Sequence, residues 1–425
     1  MSKALPKRHE NVPSPFCGIG CEDLVIEVEG EAVRVLENGD AVTIRGFETP
    51  LSGQTPTIGG QEVSLDHAIR QVAEHLSQAR LPVFSGFGTD VADTRAAMAL
   101  IDRSRGIFDQ AVSRAGLRNL LVLADTGWMV TTLAEVRNRM DLLVVFGTDI
   151  EAPFPRFFER FVWPSETLFD QDPKDRQIIY LGKAPSGKAS VSPLGVAPEV
   201  HPCDLDALPL VAGALAALAK GVDLDADQVG GISMEVLRSI VDRLKTARYG
   251  VVAWAAGQID CPHAELTIQR LTQAIVSLND KTRCMGLPLG GQDGDRTASQ
   301  VSAWLTGYPT RVSFQRGYPE YDPYHYSAER LLALGEADLL VWVSSQGLTP
   351  PPETSVPTVV IGRSGMQFPR EPEIFIPVGV PGIDFRGHMY RCDNVVAMPL
   401  HKIRDTSLPR AAEVLSAIEA ALDAV

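Results

Sequence analysis

The chain has 425 residues, 45% of them hydrophobic and 22% charged, which is material for two or three cored domains. A net charge of −14 argues against nucleic acid or an anionic membrane surface as partner, since both would repel most of its face. The start, Met1 to His9, is charged with no apolar stretch behind it, and the longest apolar run, near Leu208 to Ala219, is too short to span a bilayer. A cytoplasmic protein is expected, and cysteines scattered at 17, 21, 203, 261, 284 and 392 make no disulfide framework.

The first motif is Ser14-Pro15-Phe16-Cys17-Gly18-Ile19-Gly20-Cys21. A four-iron cluster wants four thiolates, and a C-x2-C-x3-C loop supplies three of them. Here serine holds the first place, a hard and poor iron ligand, so the loop keeps the spacing while offering two good ligands. Leu24 to Val35 then alternates apolar and polar residues around a Glu-Gly turn, which predicts a β-hairpin. Gly, Thr and Pro from about Gly46 to Gly60 link this small N-terminal β cap to a helix carrying Ile69, Val72, Ala73 and Leu76 on one face.

One unit then recurs, an apolar strand running into glycine or serine. It appears at Leu81–Gly86, Asp141–Gly147, Ile178–Gly182, Val251–Gly257, Leu339–Ser344 and Thr358–Gly362. Continuous apolar strands are buried on both faces, so they belong to parallel sheets covered by helices. Helical spacing at Thr94–Arg103, Leu205–Lys220, Met234–Lys245 and Ala264–Asn279 supplies the cover, and Arg410–Val425 reads as a closing amphipathic helix. The fold expected is α/β and doubly wound, with parallel Rossmann-like sheets in two halves. The reading divides the chain into a cap at 1–60, a first α/β region at 61–245 and a second at 246–425. Asp141 and Asp338 each stand directly before a strand of similar sequence, which suggests an internal duplication.

Candidate chemistry is sparse. Gly86-Phe87-Gly88 and Gly147-Thr148-Asp149 lie where α/β sheets bind phosphates, yet neither completes G-x-G-x-x-G. The stretch Gly290 to Pro323 is crowded with Gly, Pro, Tyr and acids and reads as a long shaped loop, with Asp293/Asp295 and Glu320/Asp322 as acidic pairs. His325 has no partner that can be named. The eight histidines form no zinc pattern and no Gly-x-Ser-x-Gly elbow occurs, so no self-contained catalytic set is present.

Together these segments resemble the B subunit of formylmethanofuran dehydrogenase, of the molybdopterin oxidoreductase superfamily. The residues that carry the likeness are Pro15–Asp23, Thr132–Asp141, Trp304–Pro309, Gly335–Asp338 and Gly382–Asn394. The resemblance implies a molybdopterin-oxidoreductase-like fold, with tungsten or molybdenum on two pterin guanine dinucleotides, a cysteine or selenocysteine ligand, and a four-iron cluster. This sequence departs from that pattern where ligands are needed. Ser14 replaces the first cluster cysteine, Thr43 to Glu48 lacks the fourth, and Ser113-Arg114-Ala115-Gly116 lacks the metal-ligating thiol. No cysteine occurs between residues 22 and 202. What survives resembles the B subunit of the formyltransferase/hydrolase complex of methylotrophic bacteria.

That resemblance implies a hetero-oligomer with A, C and D subunits. The complex moves formyl groups from tetrahydromethanopterin to a methanofuran-like coenzyme, methylofuran, and hydrolyses them to formate, with transfer assigned to D and hydrolysis to A. The expectation is a non-catalytic structural subunit with no catalytic residues and no cofactor. Ser14, Cys17 and Cys21 would form a degenerate cluster loop, and Gly147, Thr148, Asp149, Asp293 and Gly294 a vestigial cleft. Trp128, Phe154, Phe157 and Phe158 are candidates to fill the vacated space. The rival expectation is an active tungsten or molybdenum pterin dehydrogenase with unusual ligands; the weaker third is a stand-alone nucleotide-binding enzyme.

Overall fold

The computed structural model describes residues 5–169, 171–291 and 294–424. It divides into two compact units, one made of residues 1–113 and 291–425 and the other of 114–290. This is a different division from the three contiguous regions expected. The strand Pro82–Gly88 from the first part of the chain pairs in parallel with Leu339–Ser344 from the last, Val83 opposite Leu340, so distant segments share one core. Parallel pairing needs a crossover, and here the crossover is a whole folded unit long.

In the discontinuous unit the cap is a three-stranded antiparallel sheet of Lys7–Val12, Leu24–Glu29 and Ala32–Glu37. The central strand is the expected hairpin's first arm. The larger sheet runs in parallel through Pro82–Gly88, Leu339–Ser344, Thr358–Arg363 and Ile374–Val378. Its apolar runs are buried along their length, and helices Leu65–Gln78, Val91–Arg103 and Ala411–Leu422 contribute Val72, Ile101 and Leu415 to the same core. The stretch expected to be a loop after Gly290 contains a helix, Asp295–Thr306. Its buried face is Thr297, Ala298, Val301 and Ser302, too small and polar to announce a helix by periodicity.

The second unit is built on five parallel strands in the order Glu199–Pro202, Gln177–Gly182, Leu142–Phe146, Gly250–Ala255 and Cys284–Leu289. Helices Leu208–Ala219, Met234–Thr246 and Ala264–Leu278 cover it, close to the expected spans. Trp254 is fully buried in this core and its indole N–H donates to Asn119 Oδ1 at 3.0 Å.

The two aspartates that precede similar strands do the same work in both units. Asp141 accepts from the backbone N–H groups of Arg248 and Tyr249 at 2.7 and 3.0 Å, where the neighbouring strand begins. Asp338 accepts from those of Arg80 and Leu81 at 2.8 and 2.9 Å. Each carboxylate satisfies the N–H groups of the two residues that lead into the adjacent parallel strand. Among the described residues no helix is long and apolar enough to cross a membrane.

Candidate functional site

The degenerate loop lies in the discontinuous unit, beside the cap. Ser14 N–H donates to Cys21 C=O at 2.8 Å and closes the loop on itself. Gly18 and Gly20 take φ of +67° and +82°, which lets the chain double back. At Gly20 a Cβ would also stand 3.0 Å from Arg391 Cδ and 3.1 Å from Met398 Sδ. Cys17 and Cys21 are both buried, and the Cys21 backbone N–H donates to Cys17 Sγ at 3.2 Å. Hydrogen bonding from the Cys21 side chain leads in lowering the Cys17 pKa to about 7, against the upward push of burial.

The other places of a four-thiolate set hold hydroxyls. Ser14 Oγ accepts from Phe16 N–H at 3.2 Å and lies 3.4 Å from Thr43 Oγ1, and both side chains are fully buried. Thr43 is fixed because its helix, Ala41–Glu48, starts at Asp40, whose carboxylate accepts from Thr43 N–H at 2.8 Å. Sequence reading marked the Thr43 to Glu48 region for a missing cysteine; it could not show that Thr43 faces Ser14. Nor could it place Cys392 against this loop, where its N–H donates to Gly18 C=O at 2.8 Å. Burial foremost, then the neighbouring Asp393, pushes the Cys392 thiol up to about 12.

This donor set does not fit a four-iron cluster, because two neutral hydroxyls bonded to protein groups replace two soft thiolates. Among the described residues no group of three or more His, Cys, Asp or Glu side chains is placed to hold a metal ion. At the expected position of the metal-ligating thiol, Ser113 Oγ accepts from the Arg311 guanidinium at 3.3 Å.

The cleft candidates fall in separate units. Gly147, Thr148 and Asp149 follow the strand Leu142–Phe146 in the second unit, while Gly294 lies in the discontinuous one and Asp293 lies outside the described residues. Gly147 takes φ of +62°, and a Cβ there would come within 2.7 Å of Leu208 Cδ1, so the glycine serves close helix packing. Thr148 is fully buried. Asp149 is engaged by its own unit: its N–H donates to Gln258 Oε1 at 3.1 Å, its C=O accepts from Gln258 Nε2 at 2.7 Å, and its carboxylate accepts from Glu151 N–H at 2.9 Å. At Gly294 a Cβ would stand 2.4 Å from Thr89 C=O and 2.5 Å from Gln346 Oε1, which excludes a side chain.

The aromatic candidates are packed. Phe154, Phe157 and Phe158 are buried, with Phe157 edge-on to Phe158 at 5.5 Å, and Trp128 is edge-on to Trp254 at 6.1 Å. Phe158 opens a five-residue π-helix, Phe158–Val162. Arg176 holds it, donating to the carbonyls of Phe161 and Val162 at 2.9 and 2.8 Å. The acidic pair Glu320/Asp322 is structural: Asp322 accepts from His325 Nδ1 at 2.9 Å and from two backbone N–H groups, and Glu320 faces Arg316 at 3.3 Å.

The geometry therefore describes an α/β chain with parallel sheets and a cluster-type loop two thiolates short. No family model matches the sequence. The chain is 28% identical over 403 residues to the B subunit of tungsten-containing formylmethanofuran dehydrogenase 2 from Methanococcus maripaludis, covering 91% of this chain and 92% of that protein. It is 28% identical over 337 residues to the B subunit of the formyltransferase/hydrolase complex of Methylorubrum extorquens, covering 78% and 87%. A chain in the crystal structure of that complex with methylofuran superposes with a TM-score of 0.73 at 27% identity, covering 87% of this chain and 99% of that one. The chain is a homologue of the B subunits of formylmethanofuran dehydrogenase and of the formyltransferase/hydrolase complex.

Proposed function

We propose that this chain is the B subunit of a formyltransferase/hydrolase complex and serves there as a scaffold without catalysis of its own. It keeps a molybdopterin-oxidoreductase-like architecture and binds neither an iron–sulfur cluster nor a metal–pterin cofactor. Formyl groups pass from tetrahydromethanopterin to a methanofuran-like coenzyme and leave as formate on the A and D subunits, a sequence that needs no redox step. The observation that carries this reading is the buried Ser14–Thr43 hydroxyl pair where a cluster would need thiolates. The chain's likeness to both kinds of B subunit, over most of its length, supports the scaffold's inheritance.

Affinity purification of the tagged chain from its native cell tests the reading. The expected result is co-purification of A, C and D subunits and conversion of formyl-tetrahydromethanopterin to formate without an electron acceptor. Purification of the chain alone, or turnover that depends on a redox dye, contradicts it. The rival, an active tungsten or molybdenum dehydrogenase, draws on the name of the Methanococcus relative and predicts the dye-dependent outcome.

A further inference from the structure

Helices Val91–Arg103, Asp295–Thr306 and Ala411–Leu422 of the discontinuous unit leave an open groove of about 570 Å³ between them. Their core-facing residues, such as Ile101, Val301 and Leu415, are buried and take no part in it. The groove is therefore apolar surface left over once the core is full. Met98 and Phe314, 3% and 5% exposed, lie deepest, while Ala99 and Leu305 stand exposed on its walls. Two charged residues also line it. Asp102 is paired with Arg105 at 3.7 Å. Arg95 is exposed, and among the described residues nothing pairs with its guanidinium.

Sites for small molecules set a few convergent polar groups at depth to orient the ligand, and the buried lining here, Met98 and Phe314, has none. A groove bounded by helices is instead the shape that a further helix fills, its ridge of side chains seated between theirs. On a chain of net charge −14, an uncompensated cation beside that groove is the complement of a carboxylate. We propose that this groove docks an amphipathic helix of another subunit of the complex, its apolar face laid on Met98, Leu305 and Phe314 and an acidic side chain paired with Arg95. The proposal rests on the reading of this chain as one subunit of a larger assembly. An arginine next to an apolar anchor is a composition typical of interface hot spots. A second copy of this chain is the poorer occupant, because a two-fold contact must be self-complementary and a groove does not fit a groove.

Photo-crosslinking in the assembled complex tests this directly. With p-benzoylphenylalanine in place of Ala99, the expected adduct joins this chain to a helical segment of another subunit that carries Asp or Glu beside its apolar face. An adduct to a second copy of this chain, or none to any subunit, overturns the proposal. Co-purification gives a second reading. Ala99→Trp fills the groove from an exposed position and Arg95→Glu reverses its charge. Each should lower recovery of the other subunits on the tagged chain by about tenfold or more, the loss expected when a central anchor is removed, while Arg95→Lys keeps it. Unchanged recovery with both variants overturns the docking alone, whereas absence of other subunits from the unsubstituted preparation overturns the scaffold reading and the docking together. Should a variant melt early enough to lose its fold, the crosslinking outcome still decides.

Discussion

Ser14 and Thr43 set the terms at the scale of single residues. Each hydroxyl is buried and engaged by protein groups, so Ser14→Ala leaves Phe16 N–H and Thr43 Oγ1 short of a partner. Chemical denaturation should show a loss of about 1–3 kcal/mol, the cost of orphaning a buried polar group; an unchanged midpoint would mean that the pair contributes nothing. Asp93 supplies a pH signature. It is fully buried beside Asp90, and burial foremost, then the Asp90 charge, raises its pKa to about 7, against Ser345 and Arg410. Its carboxylate accepts from Ser345 Oγ at 2.6 Å and from Ala412 N–H at 3.0 Å. A folded pKa above the unfolded value means the native state holds more protons between about pH 4 and pH 7, so this group's contribution to stability falls as pH rises through that window. Asp93→Asn should flatten the decline in melting temperature across it, and an unaltered slope would show that the group does not titrate there.

The matched aspartates are the best test of what the strands share as elements. Asp141→Ala and Asp338→Ala each strip two backbone N–H groups of their acceptor, and each should cost about 1–3 kcal/mol by urea titration. Burial works to raise the Asp338 pKa, but the N–H bonds from Arg80 and Leu81 outweigh it and hold it low. Its contribution is therefore present above the ordinary carboxylate pKa and is lost as pH falls through the depressed value. A large loss at one site and none at the other would break the parallel between the units. The same elements show what could be read in advance. Runs such as Leu142–Phe146 and Leu339–Ser344 were legible because both faces are buried, so nothing polar interrupts them. Cys284–Leu289 was not, because Gly286 and Pro288 break the run. Gly286 is there for the Trp254 ring, which a Cβ would meet at 2.8 Å.

For the whole molecule, the order of segments hid the division into units. Nothing local in Pro82–Gly88 says that its partner is Leu339–Ser344, since parallel pairing leaves no turn signal between them. The count of thiols, by contrast, was open to reading, because a cysteine that is not in the chain cannot be supplied by folding. What folding added is the identity of the groups in those places, hydroxyls already satisfied by protein, and the position of Cys392 against the loop. Both observations bear on one quantity, the metal content of the assembled complex. Elemental analysis of the complex purified without oxygen should find iron, tungsten and molybdenum far below one atom per copy of this chain. Iron approaching the four atoms of a cluster, or stoichiometric tungsten or molybdenum assigned to this chain, would contradict the account.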